Sequence, residues 1–244
     1  LGDVYKRQAQ LGAISYPLPH GEQRLRLSTV GNYLQQESLV IRFLHQFGRS
    51  PEVYHLPEQI EILQQHTKKR GLYLFCGPVG SGKTTLMYKL AREMDGQVIT
   101  IEDPVEIEEA DFLQLQVNEK IYQSYDELIK LSLRHHPDVL IIGEIRDTKT
   151  IQGAIRAALT GHCVYATIHA ASLESAHARI FELGGEATLL KECLQGIVYQ
   201  ELLSVNETVG LLTSYRFYKE EVHFTWKEGL NRVAQKANDE KTTS

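Results

Sequence analysis

Leu72-Tyr73-Leu74-Phe75-Cys76-Gly77-Pro78-Val79-Gly80-Ser81-Gly82-Lys83-Thr84-Thr85 is the stretch whose reading decides the fold. An apolar run of strand length ends in a glycine-rich turn, and the turn opens directly into helical spacing over residues 83–93. From Gly77 to Thr84 it fits the phosphate-loop pattern completely, in the strand, loop, helix context that the pattern requires. Glycines let successive backbone N–H groups face a phosphate chain, and the helix start adds its positive end. Lys83 then reaches the β- and γ-phosphates and the Thr84 hydroxyl ligates magnesium. Lys-Thr at a helix start serves no packing need that Ala or Leu would not serve better. The stretch therefore reads as a Mg-ATP site, with Gly77, Pro78, Val79, Gly80, Ser81, Gly82, Lys83, Thr84 and Thr85 as its binding residues.

Working outward, strand and helix patterns alternate. Strand candidates cover 72–76, 97–101, 112–117, 139–142 and 163–168, with helices at 83–93, 124–134 and 148–160, the last stopped by Gly161. This alternation predicts an α/β fold with a parallel sheet covered on both faces. Helical spacing continues over 173–183 and 187–203, and the tail holds a β-like run, 211–218, before a polar, helix-compatible end. Upstream, 57–67 reads as a helix, and two β-rich segments, 23–29 and 38–44, flank Gly31-Asn32 and read as a hairpin. Gly48-Arg49-Ser50-Pro51 punctuates the pattern as a linker. The resulting domains are 1–48, 49–206 and a C-terminal extension, 207–244.

Three strands end in groups that could act on a phosphate. Pro137-Asp138-Val139-Leu140-Ile141-Ile142-Gly143-Glu144 is an apolar run closing on a carboxylate, which can hold a magnesium-bound water or take a proton from the attacking water. Ile99-Thr100-Ile101 closes on Glu102 and Asp103, and Pro104 takes the chain out of the sheet there, so both carboxylates are expected to face one crevice. Glu-Asp-Pro is also a common turn. Thr167-Ile168 closes on His169, at the sheet edge where open α/β folds bind ligands, although a lone histidine is more often structural.

Composition bounds the partners. The chain has 244 residues, 42% of them apolar, with no run long enough to span a membrane, and it is expected to be soluble and cytoplasmic. Its net charge of −5 argues against direct nucleic-acid binding through a broad basic surface. Cys76, Cys163 and Cys193 are widely spaced without a CxxC pair, and read as buried free thiols with no zinc expected. His135-His136-Pro137 offers no metal site either, because adjacent histidines point different ways. The start at Leu1 rather than Met reads as that of a fragment.

These motifs together resemble the secretion and type IV pilus assembly ATPases, over nearly the whole chain. The resemblance rests on four motifs in order. They are the phosphate loop, Ile101-Glu102-Asp103-Pro104-Val105-Glu106 as an Asp box, Leu133-Arg134 through Gly143-Glu144-Ile145-Arg146-Asp147, and Thr167-Ile168-His169-Ala170 as a His box. Residues 24–31 and 37–44 are most similar to the competence members of that family. The resemblance implies a RecA-like P-loop core and a small, truncated PAS-like α+β N-terminal domain. It also implies a homohexamer, peripheral at the inner face of the cell membrane, that turns an inner-membrane platform protein and drives a competence pseudopilus for DNA uptake. Type IV pilus assembly or retraction, or type II secretion, is the alternative, and a DNA translocase or helicase is a further one that the acidic balance supports little. Carried onto this chain, Glu144 becomes the catalytic carboxylate, aiding magnesium through water. Glu102 and Asp103 belong to the Asp box, with Asp103 near nucleotide, and His169 senses the γ-phosphate. Arg26 and Arg42 match arginines directed at phosphates, a role that competes with solvated strand-face charges.

Overall fold

The computed structural model describes residues 10–18, 21–32, 34, 36–44 and 53–243. The linker expected at Gly48-Arg49-Ser50-Pro51 lies outside them. Two compact units are present, Leu1–Ser50 with Glu106–Glu108, and Pro51–Val105 with Glu109–Ser244.

The first unit contains an antiparallel sheet of β1 (Gln10–Leu18), β2 (Gly21–Gly31) and β3 (Glu37–Leu44), in that order. The β2–β3 hairpin follows the sequence pattern. Its turn is set by Asn32, whose Oδ1 accepts from the Leu34 and Gln36 N–H groups at 2.9 and 3.0 Å. β1 was not expected, since Gly12 and Pro17 break its pattern; at a sheet edge, where fewer ladder bonds are needed, both are tolerated. Register places Ile14, Leu25 and Phe43 on one face and Arg26 opposite Arg42 on the other.

The second unit is built on eight strands in the order β11-β10-β9-β4-β8-β7-β5-β6. Chain order runs α1 (Glu58–His66), β4 (Gly71–Cys76), α2 (Lys83–Arg92), β5 (Val98–Glu102), β6 (Leu113–Gln116) and α3 (Tyr125–Leu133). It continues through β7 (Val139–Ile142), α4 (Thr148–Leu159), β8 (Cys163–Ile168), α5 (Leu173–Glu182) and α6 (Ala187–Cys193). β9 (Leu194–Val205), β10 (Thr208–Phe217), β11 (Val222–Phe224) and α7 (Trp226–Thr243) complete it. The strands from β4 to β9 pair in parallel, as the alternation predicts, while β10 and β11 pair antiparallel and make the sheet mixed.

β4, β5, β7 and β8 are buried along their whole length, because helices cover both faces, and hence read as unbroken apolar runs. On one face Leu72, Leu74, Ile99, Ile101, Leu140 and Val164 pack with Ile129, Ile151, Ile155 and Ile180 from α3, α4 and α5. On the other, Tyr73 and Phe75 meet Tyr165 edge-on, with ring centroids 5.7 and 5.4 Å apart. Full burial of each large side chain contributes about 1.5–3 kcal/mol.

One expectation fails clearly. Residues 187–203 do not form one helix; α6 stops at Cys193 and β9 begins at Leu194. Leu190, Leu194 and Ile197 mimic helical spacing. Yet the β-branched and aromatic Ile197-Val198-Tyr199 suit a strand that pairs with β4 on one side and β10 on the other. Asn206 and Glu207, both at positive φ, make the two-residue turn into β10. The tail from residue 207 thus supplies two strands to the same sheet.

Candidate functional site

The phosphate loop leaves the end of β4 and returns as the first turn of α2. Gly77 is buried at φ +143°, and a Cβ there would stand 2.1 Å from the Gln200 carbonyl oxygen, so the loop can rest on β9 only with glycine at this position. The top of the loop is open, with Pro78, Val79 and Gly80 all exposed. Lys83 folds over it, its Nζ donating to the carbonyls of Gly77 at 3.0 Å and Pro78 at 2.8 Å. Burial lowers the pKa of this ammonium, against the pull of Cys76 and Glu144. Thr84 and Thr85 stand half-buried in the first turn, where backbone N–H groups have no acceptor one turn back. A partly desolvated cation, free helix-start donors and two hydroxyls fit a phosphate chain with its magnesium.

Glu144 follows the end of β7, and its neighbours are fixed by the strands beside it. Gly143 N–H donates to the Ile101 carbonyl at 2.8 Å, Ile145 N–H to the Thr167 carbonyl at 2.9 Å, and the Thr167 hydroxyl to the Gly143 carbonyl. With 15% of its side chain exposed, Glu144 has both oxygens engaged. Oε1 lies 3.0 Å from His169 Nε2, and Oε2 accepts from Arg146 Nε at 2.5 Å. Arg146 Nη1 reaches on to Asp103 Oδ2 at 3.9 Å. The structure thus pairs Glu144 directly with His169 and links it to Asp103 through Arg146, to which the sequence reading assigned no role.

Glu102 departs from expectation. Rather than sharing a crevice with Asp103, it turns inward and is 4% exposed. Its Oε1 accepts from Thr100 Oγ1 at 2.7 Å and from the Tyr88 hydroxyl, which itself accepts from Gln114 Nε2 at 2.8 Å. Consecutive side chains at a strand end point to opposite faces, so one carboxylate enters the core as the other meets Arg146. Burial, then the neighbouring Glu102 charge, pushes the Tyr88 phenol far up.

Arg26 and Arg42 lie directly opposite one another in the first unit, and Arg42 Nη1 donates to Glu106 Oε1 at 3.1 Å within that unit. All three cysteines are free and buried, and burial raises Cys76 and Cys163 to about 12. Sequence reasoning missed Gln200, a fully buried amide on β9 whose Nε2 donates to the Ser81 carbonyl at 2.6 Å. The one signal for it was a lone amide closing the apolar run Ile197-Val198-Tyr199. Among the described residues, no helix is long and apolar enough to cross a membrane, and no group of three His, Cys, Asp or Glu side chains is arranged to hold a metal ion.

Comparison with known proteins agrees with this geometry. The profile of the family described as type II/IV secretion system protein matches residues 3–240. The competence protein ComGA of Streptococcus pneumoniae is 47% identical over 230 residues, covering 93% of this chain and 72% of that protein. ComGA of Bacillus subtilis is 37% identical over 208 residues, 82% of this chain and 58% of its own length, so this chain spans less than two thirds of that relative. Among solved structures, the pilus retraction motor PilT with bound ADP superposes with a TM-score of 0.70 at 25% identity, over 99% of this chain and 71% of PilT. The shared fold is the RecA-like P-loop core with a strand-built N-terminal unit. With its profile matched almost end to end and its phosphate loop, Glu144 and His169 gathered at one edge of the sheet, this chain belongs to the type II/IV secretion system protein family.

Proposed function

We propose that the chain is a magnesium-dependent ATP hydrolase and the motor of a competence pseudopilus that serves uptake of transforming DNA. The observation that carries the chemistry is the pairing of a complete phosphate loop after β4 with the Glu144 carboxylate after β7. The competence assignment is supported by the 47% identity to ComGA of S. pneumoniae.

In this account Lys83 exchanges its two loop carbonyls for phosphate oxygens, and the helix-start N–H groups hold the same chain. The Thr84 hydroxyl would hold magnesium, which would supply neutralising charge at the phosphates. Glu144 orients the attacking water and accepts its proton, and His169, 3.0 Å from that carboxylate, relays the state of the γ-phosphate side to it. Arg146, itself paired with Asp103, holds the other carboxylate oxygen in place. Glu102 supports the site from within the core. Arg26 and Arg42 supply phosphate-directed cations once subunits assemble.

The wider assembly belongs to the same proposal: a homohexamer, cytoplasmic and peripheral at the membrane through a platform protein, without direct nucleic-acid contact. Residues 1–48 act as the N-terminal domain, 49–206 as the ATPase core and 207–244 as its extension. Similarity to the pilus retraction motor PilT favours a type IV pilus or type II secretion role as the second reading. The test is Mg-ATP hydrolysis by the purified chain beside Lys83→Ala. Turnover in the parent and its loss in the variant are expected, whereas equal turnover in both would remove the phosphate loop from the chemistry.

A further inference from the structure

Gln200 has a place in the fold that its burial alone does not explain. It is 0% exposed, on the α2-facing side of β9. Burying an amide is costly without a hydrogen bond, and an unbranched apolar side chain would fill the same space. Its Nε2 donates to the Ser81 carbonyl at 2.6 Å, and a Cβ on Gly82 would lie 3.7 Å from the same nitrogen. The backbone of Gln200 also touches the loop, since its carbonyl oxygen is the atom that forbids a side chain at Gly77. Gln200 is itself braced. Across the ladder stands Thr213, whose N–H and C=O are both taken by the Gln59 side chain of α1, at 3.1 and 2.7 Å.

We propose that Gln200 is a positioning residue of the phosphate loop, fixing the direction of the Ser81–Gly82 peptide so that its N–H faces the phosphates of a nucleoside di- or triphosphate. A trans peptide is planar, and its C=O and N–H point opposite ways. Holding the Ser81 oxygen down onto β9 therefore turns the Gly82 N–H up towards the open side of the loop. Without the amide that peptide can rotate, and a carbonyl dipole would then oppose the phosphates where a donor should meet them. The inference rests on the ATP reading above and adds to it a residue outside the loop.

The experiment is equilibrium binding of Mg-ADP, with urea unfolding on the same samples, for the parent chain, Gln200→Met, Gln200→Glu and Tyr165→Phe. Gln200→Met keeps the shape without the donor and should weaken Mg-ADP by roughly 2- to 12-fold, the range that one hydrogen bond spans. Gln200→Glu can donate to the Ser81 carbonyl only when protonated, and burial raises a carboxyl towards neutrality. Its affinity should therefore recover towards that of the parent as pH falls from about 8.5 to about 6. Tyr165→Phe removes another buried hydrogen bond of the same sheet face, 2.9 Å to the Thr67 carbonyl, and should lose stability while binding Mg-ADP normally. Parent-like binding by Gln200→Met, or a parent-like pH profile for Gln200→Glu, overturns the proposal; should Gln200→Met fail to fold, the pH profile decides alone. A parent that binds neither Mg-ADP nor Mg-ATP overturns the ATP-site reading and this inference with it.

Discussion

Replacing Gly77 by alanine places the sharpest demand on the loop. The new Cβ would sit 2.1 Å from the Gln200 carbonyl oxygen, where ordinary contact begins at 3.4 Å, a deficit of 3.4 − 2.1 = 1.3 Å. That oxygen belongs to a strand paired on both sides, with β4 and with β10, and cannot retreat. Backbone at φ +143° adds about 1–3 kcal/mol of strain for any side chain, and overpacking costs about 1–3 kcal/mol more. The loop escapes only by lifting from β9 through about an ångström, and a misplacement of that size costs on the order of 10²-fold in a positioned site. Gly80→Ala is the matched control, because it too has positive φ, +79°, yet a Cβ there meets nothing within 4 Å. It should bear the backbone strain alone, about 1–2 kcal/mol. Mg-ADP affinity of the two variants, with urea unfolding to confirm that both fold, is the assay. Gly77→Ala should lose on the order of 10²-fold in affinity and Gly80→Ala about tenfold. Parent-like binding by Gly77→Ala, or equal damage in both, would refute the claim that β9 is the platform of the loop.

Two further outcomes follow from buried groups. Tyr88→Phe removes the hydroxyl that binds the buried Glu102 carboxylate and should cost about 1–3 kcal/mol in urea unfolding; an unchanged midpoint would mean that Glu102 does not depend on it. The thiols make the fold sensitive to alkali. Burial raises Cys76 and Cys163 to about 12 and Cys193 to about 11, from 9.0. Between pH 9 and 11 the unfolded chain sheds these protons while the folded chain keeps them, so stability falls as pH rises, by about 1.4 kcal/mol per thiol at pH 10. Buried phenols, Tyr73, Tyr88, Tyr125 and Tyr165 among them, are raised as well and add to the same loss, while the lowered Lys83 acts in the opposite sense over its own range. Urea midpoints at pH 8.5 and 10 should reveal the loss, and Cys163→Ala should remove one thiol's share of it, about 1.2 kcal/mol; a flat parent profile contradicts the assigned burial.

What the sequence made legible follows from how each element earns its stability. β4, β7 and β8 are covered on both faces and announce themselves as apolar runs, and each carries its functional group just past its last residue, where the chain leaves the sheet. β9 was hidden because Leu190, Leu194 and Ile197 imitate a helical stripe, and its strand state is decided by partners, β4 and β10, far away in the chain. Gln200 was lost with it, since its meaning lies in reaching a loop residue more than a hundred positions earlier. At Glu102 and Asp103 the residue types drew the eye to a single site. Their separation into the Tyr88 network and the Arg146 pair depends on strand alternation and on helix α2 lying over one face. The link through Arg146 was invisible for a related reason, because spacing along the chain says nothing about which carboxylates a flexible guanidinium will span.

The most direct test of the central claim is Glu144→Gln, measured for Mg-ATP binding and turnover on one sample. The amide keeps the size of the side chain and can still meet His169, now 3.0 Å from Glu144, but it cannot accept a proton from water. The account predicts parent-like Mg-ATP affinity with turnover reduced by about 10²–10⁴-fold, the usual share of a placed general base. Turnover at the parental rate in a variant that binds Mg-ATP normally would show that Glu144 is not the catalytic carboxylate.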